Sequence, residues 1–214
     1  LDAKKDSTTL QNVFKYSVKY SSLLVLPATF MVMALSVPAV ATLFPGKYEQ
    51  TPLYLSLYII IFLYSSFGYL SSGNLIKSQG RTDINLKLAT LTTTISAILG
   101  LILIPTYGIL GLMAAFLISP VPQLLLALWW IKTKYNATIK YNSSLRIFIA
   151  SLAASALTYL LTQTLNLPNI ILLILGAATY TISYLIISPL IKAITKEDTK
   201  NLKEMLKALG PLAG

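Results

Sequence analysis

The chain has 214 residues, of which 55% are hydrophobic and only 11% are charged, and its formal net charge is +10. Soluble domains contain roughly one-quarter charged residues, so this composition predicts an integral membrane protein with room for about six spans. The sequence contains no Cys and no His, which excludes thiolate nucleophiles, imidazole bases and the usual zinc sites. The basic residues lie between hydrophobic runs and do not alternate with aromatic residues, so nucleic acid is not expected as a partner.

A short amphipathic helix is predicted at the N-terminal end. Leu10, Val13, Phe14 and Val18 fall on one helix face within residues 7–18. We interpret residues 1–20 as a cytoplasmic lead-in that lies at the membrane interface and feeds the first span. Because the first residue is Leu, we expect the chain to begin inside a longer protein.

Six apolar segments follow, and each is long enough to cross a ~30 Å hydrocarbon core. The predicted spans cover residues 21–44, 52–73, 86–104, 109–131, 147–163 and 170–191. The turn at residues 105–108 (PTYG) joins spans three and four into a hairpin, because proline fixes φ and glycine allows φ > 0. Pro120 and Pro122 predict a kink or a locally unwound segment inside span four. Residues 21–191 therefore form one six-span membrane lobe.

The tail, residues 192–214, differs in composition from the spans. Thr195 and Asp198 have the spacing of a capping box, with Asp in place of the usual Glu. Four apolar residues then follow at helical spacing, and they are Leu202, Met205, Leu206 and Leu209. The pattern predicts a short amphipathic helix on the cytoplasmic side, so that the all-α lobe has an amphipathic helix at each end.

The distribution of basic residues predicts the orientation. If the loops alternate between the two sides, only Lys47 of the 17 basic residues lies on one side, which leaves 16 on the other. The positive-inside rule then places both termini in the cytoplasm of a multi-pass cell-membrane protein. This alternation requires six spans, since one more or one fewer would scramble it.

The acidic residues all lie in loops or tails. They are Asp2, Asp6, Glu49, Asp83, Glu197, Asp198 and Glu204. An intramembrane carboxylate usually marks a proton or ion pathway, and paired carboxylates would be needed for general acid and base catalysis. We therefore predict no catalytic residue, no metal site, no cofactor and no enzymatic activity.

Neutral polar residues follow single faces of several predicted spans. Span five has Ser151, Ser155, Thr158 and Thr162 on one face, and span three has Thr93, Ala97 and Gly100. Spans two and six carry similar stripes, composed of Tyr58, Ser65, Tyr69 and Ser72 and of Gly176, Tyr180 and Ser183. Such stripes indicate either close helix packing through small residues or a hydrated cavity for a polar head group. The candidate cavity residues are Tyr58, Ser65, Tyr69, Ser155, Thr158 and Tyr180.

Three segments carry a resemblance to a known superfamily. They are residues 26–48 (LPATFMVMALSVPAVATLFPGKY), 71–91 (SSGNLIKSQGRTDINLKLATL) and 101–119 (LILIPTYGILGLMAAFLIS). Together they resemble the C-terminal half of polysaccharide or oligosaccharide-lipid flippases of the multidrug/oligosaccharidyl-lipid/polysaccharide exporter superfamily. Pro45 is an insertion relative to the commoner pattern of the first turn.

The resemblance implies one lobe of a two-lobe transporter that works by alternating access. Its substrate would be a lipid-linked oligosaccharide, a polyprenyl-linked sugar phosphate, and its partners would be membrane lipid and an N-terminal six-span lobe missing from this chain. Basic residues in the central cavity often meet the phosphate in such proteins. The predicted spans contain no such residue at mid-membrane, which implies that the other lobe supplies it.

Three alternatives stay open. A multidrug exporter of the same superfamily usually depends on intramembrane acidic residues, and these spans have none. A membrane glycosyltransferase needs acidic loops, whereas Glu49 is the only acidic residue in the predicted outer loops. The third alternative is a membrane partner subunit that does not itself transport.

Overall fold

A computed structural model describes residues 2–195, 198, 200 and 201, with side chains described from residue 9 onward. Every regular element in this part of the chain is helical. The elements are α1 (Asp2–Ala34), α2 (Ser36–Leu43), α3 (Thr51–Ile59), a 3₁₀ helix (Ile60–Phe67), α4 (Tyr69–Ser78), α5 (Thr82–Tyr107), α6 (Ile109–Ile118), α7 (Pro120–Tyr135), α8 (Tyr141–Thr164) and α9 (Asn169–Leu190).

The predicted all-α membrane protein is confirmed at the level of its helices. Five stretches are long and apolar enough to cross a membrane, namely Thr9–Ala34, Thr82–Tyr107, Ile109–Tyr135, Tyr141–Thr164 and Asn169–Leu190. Two further helical stretches, Thr51–Phe67 and Tyr69–Ser78, are bent relative to each other. If they cross the membrane as one span, the described part of the chain has up to 6 spans. The six-span count stays a prediction.

The N-terminal lead-in and the start of span one form a single helix, α1. No helix breaker lies between residues 7 and 21, so the helix continues through the boundary that the change in composition predicted. The break comes later, at Leu35, between α1 and α2. Pro38 explains the position of this break. Proline has no backbone N–H to donate to the Ala34 carbonyl, and its ring clashes with that carbonyl.

The region of the predicted second span is bent, and we call residues 51–78 the broken span. Its backbone passes from α3 into the 3₁₀ helix and then bends by 56° at Gly68, where α4 begins. Gly68 has φ = 80° and is buried against α1 and the segment before α8. Only a residue without a Cβ adopts this conformation at little cost in so narrow a space.

The helix hairpin is confirmed, whereas the kink or unwound segment predicted in span four is not seen, because Ser119 between α6 and α7 keeps helical dihedral angles (φ −60°, ψ −30°). α5 continues through Pro105 to Tyr107, so Gly108 alone makes the turn into α6. A Cβ on Gly111 would lie 2.1 Å from the carbonyl oxygen of Leu103, which shows that the two helices meet backbone to backbone. α6 ends one residue before Ser119, and α7 begins at Pro120.

Two buried apolar clusters hold the bundle together, and α1 contributes to both. One contains Phe14 and Val18 of α1 together with Ile76 of α4 and Ile131 of α7. The other joins Leu26 and Phe30 of α1 to residues of α8 and α9, among them Ile147, Ala150, Ala154, Tyr180 and Tyr184. Large apolar side chains such as Leu24, Leu101 and Leu190 are about three-quarters exposed, as expected for helices that face lipid.

The start of the tail is fastened to α1. The Asp198 carboxylate accepts hydrogen bonds from the Thr195 backbone N–H (2.8 Å) and hydroxyl (2.6 Å), which confirms the capping-box pattern. Lys19 donates to both Asp198 oxygens at 2.6 Å, and Asn201 donates to the Tyr20 hydroxyl at 3.0 Å. The apolar positions predicted after residue 201 lie outside the described residues.

Burial alone would raise the pKa of the Asp198 carboxyl group. Hydrogen bonds from Lys19 and Thr195 favour its charged form more strongly and hold the pKa below the ordinary value of 3.8. The contribution of this carboxylate to stability is therefore present at neutral pH and is lost as the pH falls below that value.

We expect Gly68→Ala to lower the unfolding temperature of the detergent-solubilised protein more than Gly80→Ala does. Both glycines have positive φ, 80° and 71°, which costs an L-residue about 1–2 kcal/mol. A Cβ on Gly80 would meet nothing within 4 Å, whereas one on Gly68 would lie 3.2 Å from Val18 Cγ2. Overpacking should add about 1–3 kcal/mol at Gly68. Tryptophan fluorescence during heating measures both variants, and equal shifts would contradict close packing at Gly68.

We also expect Asp198→Ala to release the start of the tail, with Asp83→Ala as the matched control. The Asp198 side chain is 5% exposed and its partner Lys19 17%, whereas Arg81 and Asp83 are 47% and 53% exposed. Losing hydrogen bonds to a buried charge should speed amide exchange over residues 195–201 by on the order of tenfold or more at pH 7. In the unmodified chain, protection relative to the intrinsic exchange rate at each pH should also fall as the pH is lowered below 3.8. Unchanged exchange in Asp198→Ala would show that the ion pair does not hold the tail.

Candidate membrane cleft

A cleft of about 850 Å³ opens on one side of the helix bundle. It lies between the broken span on one side and the α5–α6–α7 hairpin on the other. Its lining, which we call the membrane cleft, consists of Ile61, Tyr69, Thr92, Thr93, Ser96, Ala97, Gly100, Leu101, Ile104, Pro105, Leu112, Phe116, Ser119 and Pro120. The bend at Gly68 directly precedes Tyr69 of this cleft, and Ser119, between α6 and α7, is part of the cleft wall.

α5 supplies most of the hydroxyl groups in the cleft. Thr92, Ser96 and Gly100 recur every four residues, so they share one helix face. The Thr92 hydroxyl is hydrogen-bonded to the side-chain oxygen of Gln123 on α7, and the Thr93 hydroxyl donates to the Ala89 carbonyl at 3.1 Å. Gly100 borders open space in the cleft. A Cβ added there would meet only Ile104 Cδ1, at 3.5 Å.

Aromatic rings connect the broken span to α6 across the edge of the cleft. Tyr58 stacks on Phe116 with ring centroids 5.1 Å apart and an interplanar angle of 13°. The Tyr64 hydroxyl donates to the Leu117 carbonyl at 2.9 Å, and Tyr64 contacts Tyr69 edge to face. These contacts hold the broken span against α6. The cleft lies beside them, between the broken span and α5.

The cleft is uncharged. None of its lining residues in the described chain is Asp, Glu, Lys or Arg, and most are apolar. Such a lining can bind alkyl chains through its apolar walls and neutral hydroxyl groups through Thr92, Thr93, Ser96, Ser119 and Tyr69. It offers no counter-ion for a phosphate or for a cationic ligand.

The structure separates the candidate cavity residues into two groups. Tyr69 lines the cleft, and Tyr58 stands behind Phe116 at its edge. Ser65 is buried next to α1, and its hydroxyl has no hydrogen-bond partner among the described residues. Thr158 and Tyr180 lie instead at the contact between α8 and α9, Ser155 is buried on α8, and none of the three lines the cleft.

Packing accounts for the stripe in span five. Ser151 and Thr158 are fully buried, and their hydroxyls donate to carbonyls of their own helix, Ile147 and Ala154, at 2.8 and 2.9 Å. A Cβ on Gly176 of α9 would lie 3.5 Å from Thr158 Cγ2 and 2.4 Å from Leu35 Cδ2. Small residues therefore bring α8 and α9 close together, whereas the stripe Thr93, Ala97 and Gly100 of span three lines the cleft.

Sequence reasoning missed Thr92, Ser96 and Gln123. Gln123 is the only amide side chain between Leu88 and Ile131, and an amide at mid-span needs a partner in hydrocarbon. Its position in an apolar stretch was therefore a usable signal for a polar contact between α5 and α7. Within the described residues, no group of three or more His, Cys, Asp or Glu side chains comes together, so no set of metal ligands is found there.

Comparison with known proteins yields no relative. No protein family matches the chain, and no curated protein or solved structure matches it either. The function of the chain is therefore inferred from its own residues and from the geometry of the membrane cleft.

A hydrated cleft can be tested with single cysteines, because the native chain has none. We expect Ser96→Cys, in the cleft, to react with a small water-soluble thiosulfonate. Ile98→Cys is 53% exposed on the outside of the same helix, and Ser151→Cys is fully buried at a helix contact. Both should stay unreactive, since thiolates form in water and not in lipid or a packed core. An unreactive Ser96→Cys, or equal reaction at all three positions, would contradict a water-filled cleft.

Proposed function

We propose that this chain is the C-terminal six-span lobe of a transporter that moves a lipid-linked oligosaccharide across the cell membrane. The substrate is a polyprenyl-linked sugar phosphate, and an N-terminal six-span lobe completes the transporter. The membrane cleft is the observation that carries this proposal. Its apolar walls suit a polyprenyl chain, and its row of hydroxyls on α5 suits the hydroxyl groups of a sugar.

The positions of charged residues support a six-span topology with both termini in the cytoplasm. If the bent pair crosses as one span, the helices alternate so that Lys47 lies at one end and the other described basic residues at the opposite end. Contacts at that opposite end agree with this arrangement. Lys19 pairs with Asp198, the Gln11 side chain reaches the Tyr135 carbonyl at 3.5 Å, and Arg81 lies 5.7 Å from the centre of the Trp130 ring.

The helix interruptions beside the cleft support alternating access. Discontinuous membrane helices are frequent at the binding sites of secondary transporters, and here the broken span bends by 56° at Gly68, next to Tyr69 of the cleft. A helix joined through a left-handed glycine or a proline can change direction without unpacking its whole length. Movement of the broken span against the hairpin would open or narrow the cleft.

A multidrug exporter of the same superfamily is the alternative. The predominance of apolar lining residues favours it for uncharged apolar compounds. A cationic drug would need an acidic partner, and the described lining contains none. A membrane partner subunit that does not transport would have no need of the hydroxyl row on α5.

We expect Thr93→Val to slow transport of a fluorescent lipid-linked oligosaccharide in proteoliposomes that contain both lobes. Removing one hydroxyl that bonds the sugar should raise the half-saturating substrate concentration about two- to tenfold. Thr181→Val is the matched control, because Thr181 is also an exposed helical threonine bonded to the carbonyl four residues earlier, but it lies on α9 outside the cleft.

The two variants separate the candidate functions. Equal transport by Thr93→Val and Thr181→Val would remove the cleft from sugar recognition. Absence of oligosaccharide transport by the unmodified protein, together with efflux of an apolar dye that Thr93→Val alters, would favour the exporter. The unfolding temperature of both variants is measured as well. If it is the same for both, a difference in their transport rates does not arise from misfolding.

A further inference from the structure

A second cavity shares no lining residue with the membrane cleft and is lined by several lysines. Its volume is about 220 Å³, well above the ~10–15 Å³ that one water molecule needs. It lies between α1 and the segment that leads into α8. This cationic pocket is lined by Asn12, Lys15, Tyr16, Val18, Lys19, Ile139, Lys140, Ser143 and Ser144.

Three lysines face this one cavity, namely Lys15, Lys19 and Lys140. Among the described side chains the ion pairs are Lys19–Asp198 and Arg81–Asp83, so Lys15 and Lys140 have no carboxylate partner there. Counted over the described side chains, the pocket therefore holds an excess of positive charge. Ammonium groups brought together repel each other unless an anion lies between them.

The other polar groups of the pocket also suit an anion. α8 begins at Tyr141 without a side-chain cap and without an acidic residue in its first turn, so its first N–H groups add partial positive charge. Ser143 and Asn12 can donate hydrogen bonds from the wall. Phosphate oxygens, which accept several bonds and carry negative charge, match this set of donors.

An apolar groove adjoins the cationic pocket and shares Ser144 with it. This acyl groove has a volume of about 290 Å³ and is lined by Ser66, Phe67, Tyr141, Ser144, Leu145 and Phe148. Ser144 itself is 97% buried, since its exposed fraction is 3%. The two cavities together present a cationic part and an apolar part side by side, which is the division of polarity found in a phospholipid.

We propose that the cationic pocket binds the phosphate of an anionic phospholipid while the acyl groove holds the start of one of its chains. The lipid belongs to the leaflet at the lysine-rich end of the molecule. Basic pockets between membrane helices commonly recognise anionic head groups. A free phosphate ion would contact the cationic pocket alone. Because an apolar groove adjoins that pocket, a phospholipid is the better match for the bound phosphate group. This site is independent of the transported substrate and of the membrane cleft.

The test measures binding of fluorescent phosphatidylglycerol to the detergent-solubilised chain, with phosphatidylcholine as the zwitterionic comparison. We expect the double variant Lys15→Gln/Lys140→Gln to weaken phosphatidylglycerol binding by on the order of tenfold or more. Lys132→Gln/Lys134→Gln removes the same charge from exposed positions in the last turn of α7, outside the pocket, and should change binding less than about threefold. If the double pocket variant is misfolded, Lys140→Gln alone is used, since Lys140 is exposed.

Further arms identify the source of the phosphate. Leu145→Gln, at a position 56% exposed in the acyl groove, should weaken lipid binding without changing the effect of inorganic phosphate. Competition by millimolar inorganic phosphate, with no effect of Leu145→Gln, would overturn the lipid and indicate a free-anion site. If the pocket variant and the α7 variant lose phosphatidylglycerol binding equally, the binding depends on general surface charge. That result would overturn the proposed site. Each of these outcomes is a change in lipid binding, so none of them depends on the proposed transport function.

Discussion

Hydrocarbon offers no partner to a backbone N–H or carbonyl group, and the rest of this structure depends on that constraint. Every regular element described is a helix, and even the interruptions keep their backbone bonds. The amide groups at the four breaks donate to carbonyls three or four residues earlier, as shown by Leu35 to Met31 (3.0 Å), Gly68 to Ser65 (3.0 Å), Gly108 to Ile104 (2.8 Å) and Ser119 to Ala115 (3.1 Å). The spans therefore bend without exposing an unpaired amide to lipid, which is what allows breaks to stand beside a cleft.

The same constraint sorts the side chains. Serine and threonine hydroxyls fold back onto carbonyls of their own helices, as Ser151 and Thr158 do, so they add little bulk and no unpaired donor at a helix contact. This lets α8 approach α9 closely at Gly176. On α5 the Thr92 hydroxyl bonds to Gln123 of α7 and the Thr93 hydroxyl bonds to its own helix, and both residues line the membrane cleft. One residue type thus serves tight packing in one half of the bundle and an open cleft in the other.

Hydropathy and turn chemistry were sufficient to place most of the fold. α5, the α6–α7 pair, α8 and α9 match predicted spans three to six because long apolar runs between polar loops have few other solutions in a membrane. The bend at Gly68 was not predictable in this way, since a single glycine in an apolar run is common and its close packing beside Val18 and Ile139 brings together residues far apart in sequence. The same limit applied to the polar stripes. Their period shows that Ser155 and Thr93 each lie on a polar face, but which face meets a neighbouring helix depends on packing between elements far apart in sequence.

The separation of charge along the molecule restricts how the proposed transport can work. A lipid-linked sugar phosphate has an apolar chain, neutral hydroxyls and an anionic phosphate, and the described cleft offers partners for the first two only. Lys15, Lys19 and Lys140 line a separate pocket. A phosphate that left this pocket and moved along the uncharged cleft would lose its counter-ions in a medium of low dielectric constant, which is costly. In the proposed transporter the neutralising charge at mid-membrane must therefore come from the N-terminal lobe, so that sugar and chain are held by one lobe and phosphate by the other.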